Sequence, residues 1–272
     1  GEPRRSADWL LSAATGLSRV ELFAHRSRPL SADERAELRD AVARRAAGEP
    51  LQHVTGEVPF RHLVLHVRPG VFIPRPETEV LVEVGLEHLD RLRAEGVRDA
   101  VALDLCTGSG AVACSVASES EGVRVWASDV SEDAVTVACD NVTRAGLAGT
   151  VQVVCGDLFE PIPGELEGEV HLILANPPYI PTRHIADLPR EVSEHEPAVA
   201  LDGGLDGLRT VERIAEEAQV WLAEGGRVAM EVDERTTADA VASLEKYLTE
   251  VTVRQDLAGR DRVVTGVKEA GR

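Results

Sequence analysis

Residues 173–181 read Ile-Leu-Ala-Asn-Pro-Pro-Tyr-Ile-Pro, an apolar run that stops in an amide, two prolines and a phenol. Proline cannot donate to a sheet ladder, so a strand over 171–176 must end here. Asn176 at its tip offers a side-chain carbonyl, and the Pro177 carbonyl, fixed in space by Pro178, offers a second acceptor. Two acceptors about one amide width apart suit a planar NH2 group with its two donors. Such a nitrogen is a poor nucleophile because its lone pair is delocalised. Holding both hydrogens, and stacking the plane on Tyr179, would aim the lone pair at an electrophilic carbon. That is positioning plus electrostatic stabilisation, with no strong base needed beforehand. The reaction it suits is methyl transfer to a planar nitrogen from the sulfonium of S-adenosylmethionine. Taken alone, the four residues could also be only a rigid strand exit.

A second constellation makes that bland reading weaker. In "LDLCTGSGAVA", Asp104 lies near the end of a strand, and Cys106, Thr107, Gly108, Ser109 and Gly110 form the turn that opens a helix. Glycines there let backbone approach a ligand, and the helix N-terminus offers unpaired N–H groups. Asp129, nineteen residues after Gly110, ends the next strand and suits the two ribose hydroxyls of a nucleoside. Asp157 ends a third strand, where it could read an adenine amino group with Leu158 against the ring. Helix capping competes for Asp129, because Ser131-Glu132-Asp133 follows it. Gly108-x-Gly110-x-x-Ala113 also fits the dinucleotide fingerprint, so a nicotinamide dehydrogenase has to be weighed; nothing near the fourth strand supplies an acid or base for hydride transfer.

The elements that must carry these residues alternate. Strands are expected at 101–105, 123–129, 151–157, 171–176 and 227–232, with helices from Gly110, over 131–145, over 207–223 and over 236–248. Final strands near 250–255 and 262–267 are close enough for a hairpin. The expected fold is α/β: a Rossmann-like, mostly parallel seven-stranded sheet with an antiparallel last hairpin, behind a small N-terminal helical domain. Three domain spans follow: helices over 1–52, a hairpin and linker over 53–76, and the catalytic domain over 77–272. Ser31-Ala32-Asp33-Glu34 opens a helix in capping-box style, and Leu63, Leu65 and Val67 alternate as in a strand.

Composition narrows the partners. With 29 basic and 47 acidic residues, a net charge of −18 is a poor footprint for holding a phosphate backbone. No direct nucleic-acid partner is expected, and a basic protein partner is compatible. No apolar stretch approaches bilayer length, no charged-then-apolar segment opens the chain, and the expectation is a cytoplasmic monomer. Cys106, Cys114, Cys139 and Cys155 form no CxxC pair, so they read as small buried thiols, with no metal site and no disulfide.

Seven blocks, "GEPLQHVTGEVPF", "PGVFIPRPETEVLV", "LDLCTGSGAVA", "GDLFEP", "NPPYIP", "EP..ALDGG.DGL" and "DLAGRDRVV", occur in the order found in the HemK/PrmC-type protein-(glutamine) methyltransferases of peptide chain release factors, and the chain resembles that family over nearly its whole length. The resemblance implies S-adenosylmethionine as methyl donor and, as acceptor, the side-chain amide of the Gln in a release factor's Gly-Gly-Gln loop. It implies an N-terminal domain that helps hold the factor. Carried onto this chain, Cys106 through Gly110 would line the methionine part of the cofactor, Asp129 the ribose and Leu158 the adenine. Asn176, Pro177, Pro178 and Tyr179 would hold the glutamine, with Asn176 bordering the cofactor as well. Phe72, Pro74, Arg75 and Glu77 would shape the entrance. Arg75 would grip partner backbone or order its own loop through an internal ion pair. The chain departs from the family pattern at Cys106, where Gly is common, at Leu158, where an aromatic is common, and at "EVDERT"; Glu231 within it is given no role. The same amide logic would serve an exocyclic amine of a nucleic-acid base, or glutamine in another protein. A nucleotide-binding adaptor without turnover is the non-enzymatic alternative.

Overall fold

The computed structural model describes residues 2–269. The chain begins with four helices, α1 (Glu2–Thr15), α2 (Arg19–Ala24), α3 (Ala32–Ala46) and α4 (Leu51–Thr55). Both α2 and α3 start with complete capping boxes, Ser18 with Glu21 and Ser31 with Glu34, which satisfy orphan N–H groups reciprocally. A two-stranded hairpin follows, β1 (Glu57–Phe60) against β2 (Leu63–His66). Its buried face, Val58, Phe60 and Leu65, joins the main core. Asn141 fastens it by accepting from the His66 N–H and donating to the His66 carbonyl.

A 3-10 turn at Pro76–Thr78 leads into α5 (Glu79–Ala94) and then the alternating unit. This comprises β3 (Ala100–Leu105), α6 (Ala111–Glu119), β4 (Val123–Asp129), α7 (Glu132–Arg144), β5 (Val151–Cys155) and β6 (Val170–Ala175). Two single-turn helices, α8 (Arg190–Ser193) and α9 (Ala198–Leu201), precede α10 (Arg209–Trp221), β7 (Leu222–Glu231), α11 (Thr237–Leu244), β8 (Thr249–Gln255) and β9 (Asp261–Val267). The sheet runs β5-β4-β3-β6-β7-β9-β8, parallel until the last two pairings. β3 is buried throughout and β6 nearly so, as a parallel sheet covered on both faces requires. One apolar cluster lies on the side of α5 and α6, the other on the side of α10 and α11.

The expected elements are present with ends shifted by a few residues. Sequence periodicity had missed the short helices between 182 and 201, each too short to show a period. The cysteine expectation needs correction: Cys114 is buried and Cys106 half-buried, but Cys139 and Cys155 are exposed. Cys139 sits on the outer face of α7, and Cys155 ends the edge strand β5. All four are free thiols, and no cluster of metal-ligating side chains occurs among the described residues. No helix there is long and apolar enough to cross a membrane.

Candidate active site

β3 and β6 are neighbours, and the strand order reverses between them, so a crevice opens beyond their C-terminal ends. A cavity of about 400 Å³ lies there. The predicted Phe72, Pro74, Arg75, Asp104, Cys106, Thr107, Gly108, Ser109, Asp129, Asp157, Leu158, Asn176, Pro177, Pro178 and Tyr179 all line it.

On the β3 side the polar groups bind one another. Asp104 is 2% exposed; its Oδ2 accepts from the Thr107 hydroxyl at 2.5 Å and the Ala113 N–H at 3.0 Å. Burial pushes its carboxyl up to about 7. Asp129 accepts from the Gly108 N–H at 2.8 Å and the Ser131 N–H at 2.9 Å. Its carboxylate therefore ties the Gly-rich turn to the end of β4, while Ser131 itself caps α7. Cys106 and Leu158 have φ of +59° and +51°, left-handed conformations uncommon for residues with a Cβ. Gly108, at φ +56°, has open space where a Cβ would point. Asp157 is paired with Arg213 of α10 at 3.0 Å, so that carboxylate is shared between the cavity wall and an ion pair.

On the β6 side, Asn176 Nδ2 donates to Thr78 Oγ1 at 3.3 Å. Among the described residues no hydrogen bond uses Asn176 Oδ1 or the Pro177 carbonyl. The following backbone is clamped. Ile180 N–H donates to Leu201 O and Gly203 N–H to Ile180 O, both at 2.9 Å. A Cβ on Gly203 would meet the Pro178 carbonyl at 2.7 Å, and one on Gly207 the Tyr179 carbonyl at 2.4 Å. The Leu-Asp-Gly-Gly-Leu-Asp-Gly segment, 201–207, thus lies flush against the tip and sets its shape. Tyr179 Oη reaches Glu231 Oε1 at 3.5 Å, and burial pushes the phenol pKa up.

At the entrance Arg75 resolves one of its two readings. Its guanidinium pairs with Glu196 at 2.8 Å and lies 5.1 Å over the Phe72 ring. The Glu196 side chain is 1% exposed, and its other oxygen accepts from the Ile73 N–H at 3.3 Å. Burial, only partly offset by Arg75, pushes the Glu196 carboxyl up to about 7. The internal ion pair that orders the loop is therefore present.

Residues 1–56 match the family model for the PrmC N-terminal domain, and residues 63–190 that for the methyltransferase small domain. Release factor glutamine methyltransferase of Mycolicibacterium smegmatis is 41% identical over 98% of this chain and 92% of its own. That of Streptomyces coelicolor is 37% identical over 98% and 91%. The chain belongs to the release factor glutamine methyltransferase family. The fold is also shared with the Thermus thermophilus 16S rRNA N2 G1207 methyltransferase solved with AdoMet and guanosine, at TM-score 0.57 and 21% identity over 78% of this chain and 50% of that one.

In this family member three residues stand elsewhere than the sequence suggested. Gly110 does not line the cavity: it turns at φ +79°, and a Cβ there would meet Ala138 of α7 at 3.2 Å, so it serves helix packing. Glu77 is outside the cavity as well, 3.5 Å from Arg260. The 3-10 turn rotates Thr78 inward in its place. Glu231, given no role, is 1% exposed and touches Tyr179. Sequence reading also passed over Thr78, Glu196 and Arg213. Thr78 and Glu196 stand inside blocks that had been quoted, so position in the block was the available signal. Arg213, on an amphipathic helix, left none.

Proposed function

We propose that this chain transfers the methyl group of S-adenosylmethionine to the side-chain amide nitrogen of the Gln in the Gly-Gly-Gln loop of peptide chain release factors. The observation that carries the reading is the Asn176–Pro177 tip. An amide tied back through its nitrogen and a proline carbonyl stand together on the cavity wall, beside the Asp129 turn. The cavity suits the nucleoside of the donor: a carboxylate closes β4, Gly108 leaves room for close approach, and apolar Leu158 forms one wall. When bound, the cofactor supplies a methyl made electrophilic by its sulfonium.

The chain's own residues do the rest. Asn176 Oδ1 and the Pro177 carbonyl accept the two N–H bonds of the carboxamide, and Tyr179 supports its plane. As the nitrogen takes the methyl and gains positive charge, both N–H···O bonds strengthen, which lowers the barrier selectively, and the surplus proton on the nitrogen is then lost to solvent. Arg75, stacked on Phe72 and paired with Glu196, keeps the entrance loop in place. Residues 1–52 are assigned to holding the factor, a reading supported by the exposed apolar Val20 and Phe23 on α2. The test is tritium transfer from labelled cofactor. Counts should enter purified release factor and vanish when the Gln of its Gly-Gly-Gln loop is changed to Ala. Counts in DNA or RNA instead would overturn the reading.

A further inference from the structure

We propose a second binding site on this chain: the cleft between α5 and the β7-β9-β8 end of the sheet takes a small phosphate dianion, held by Arg91 and Arg227. The cleft has a volume of about 240 Å³. Its α5 wall carries Glu87, His88 and Arg91, and the strands opposite carry Arg227, Thr252, Arg254 and Thr265. None of these residues lines the methyl-transfer cavity. Arg227 pairs with Leu172, three residues before Ala175 at the β6 tip, so the cleft lies toward the other end of the strands. The inference therefore stands apart from the proposed methyl transfer.

Elsewhere the chain holds its arginines with carboxylates: Arg28 with Glu34, Arg44 with Glu49, Arg61 with Glu119. With 47 acidic against 29 basic residues, such partners are plentiful. Arg91 and Arg227 are instead pinned by neutral acceptors. His88 Nε2 donates to the His171 carbonyl at 3.0 Å, so Nδ1 keeps its lone pair and accepts from Arg91 Nη2 at 2.7 Å. The imidazole is buried, and burial pushes its pKa down to about 4, which keeps it uncharged. Arg227 Nη1 donates to Thr265 Oγ1 at 3.1 Å. Among the described residues neither guanidinium makes an ion pair. Glu87 is already paired with Arg254. Burial, and then the charge of Arg91, pull the Arg227 pKa down, and Glu250 and Glu87 oppose this less strongly.

Three guanidiniums against one carboxylate leave two positive charges in the cleft. Like charges fixed in one place repel, and a dianion between them turns that repulsion into attraction. The donors suit phosphate, because a guanidinium fork bonds two oxygens in one plane. The Thr252 and Thr265 hydroxyls are 2.8 Å apart. Their mutual bond uses one of two hydroxyl hydrogens and leaves the other for an oxygen acceptor. Arg227 is half-buried and Thr265 buried, so little side-chain freedom remains to be lost on binding. The volume exceeds that of a bare phosphate and admits the small organic remainder of a monoester. A phosphodiester brings one charge and would leave the second guanidinium uncompensated.

Thermal unfolding of the full chain at pH 8, with inorganic phosphate, glycerol 3-phosphate or dimethyl phosphate and with chloride at matched ionic strength, tests this. Both dianions should raise Tm saturably, as a ligand of the folded state does, and chloride should not. A larger gain from glycerol 3-phosphate assigns the site to monoesters, and a larger gain from inorganic phosphate to the free ion. Arg91→Gln and Arg227→Gln should each weaken binding about tenfold or more. Thr265→Val keeps both charges but loses the pin and the hydroxyl, and should weaken it about threefold. Arg190→Gln, whose partner Glu194 lies outside the cleft, should bind as wild type does. An equal shift with dimethyl phosphate or chloride would overturn the inference. So would a phosphate shift that survives both Arg91→Gln and Arg227→Gln. Should Arg227→Gln not fold, Arg91→Gln, at an exposed position of α5, decides alone.

Discussion

The two walls of the cavity are made rigid in opposite ways. On the β3–β4 wall, the conspicuous side chains are turned on the wall itself: Asp104 on the Thr107 hydroxyl and the Ala113 N–H, Asp129 on the Gly108 and Ser131 N–H groups. What this wall offers a ligand is the shape of a turn. On the β6 wall the chain ends in prolines that cannot be laddered, and the tip is braced from outside. The 201–207 segment packs against its backbone, and Thr78 and Glu231 hold its side chains. A wall made of many backbone contacts degrades gradually under mutation. A wall whose proposed chemistry rests on two oxygens should fail at once. Substitutions on the β6 wall should therefore damage the chemical step far more than binding.

Asn176→Ala is the largest expected effect. Removal of one preorganised polar group that matures in the transition state lowers kcat by about 10²–10³ in comparable sites. Cofactor affinity by calorimetry should stay within a few-fold, because the opposite wall is untouched. Equal losses of affinity and rate would erase the distinction between the walls. Gly207→Ala comes next. Its Cβ would meet the Tyr179 carbonyl at 2.4 Å, from a φ of +87°. The expected destabilisation is about 3 kcal/mol in urea titration, with kcat reduced in whatever folds. Gly108→Ala, at φ +56° but with open space ahead, is the control from the other wall. It should weaken cofactor binding with a milder effect on stability.

The contrast also explains what could be read beforehand. The parallel sheet follows from alternating periods, and a glycine-rich turn at the end of β3, beside a cavity, from strand-end carboxylates and glycines. The tip was legible because prolines end a buried strand only for a reason. The bracing was not legible. Thr78 and Glu231 come from segments 153 residues apart and meet the tip only in the fold: the β6–β7 register sets Glu231 beside Asn176, and the turn before α5 brings Thr78 to it. Glu77 came from the family block as a whole, and the 3-10 turn instead puts the hydroxyl of its neighbour Thr78 on the cavity wall. Gly110 and Gly108 look alike in sequence, yet one faces Ala138 and the other the cavity.

Arg75 ties the entrance loop to the segment after β6, and its removal should act mainly on stability. Arg75→Ala leaves Glu196, 1% exposed, without its cation. Fully buried pairs broken this way cost about 3–5 kcal/mol, and the half-exposed Arg75 places the expected loss nearer 2 kcal/mol. The sign with pH is fixed by the raised Glu196 pKa of about 7. Between the ordinary carboxylate range and that value the folded state holds the extra proton, so stability falls as pH rises. Asp104 and Glu231, also pushed to about 7, act in the same direction. Loss of the cation pushes Glu196 higher still, so the Arg75→Ala defect should be small at pH 5 and full at pH 8. Glu196→Gln in the same background should abolish that difference. A defect independent of pH would assign Arg75 to packing on Phe72 instead.

Cys106→Gly is the smallest effect and the sharpest probe of the β3–β4 wall. Cys106 holds φ at +59°, where a Cβ residue is strained by about 1–2 kcal/mol. Glycine relieves that strain but gives the unfolded chain about 0.4–1 kcal/mol more conformational entropy to lose. The net expectation is a gain of about 0.5 kcal/mol in urea titration, with kcat and cofactor affinity unchanged. That outcome requires the wall to act through backbone shape, since the thiol disappears while the turn is kept. A loss of cofactor affinity in a folded, equally stable Cys106→Gly variant would mean that the sulfur itself contacts the ligand, and the β3–β4 wall would then resemble the β6 wall it is contrasted with.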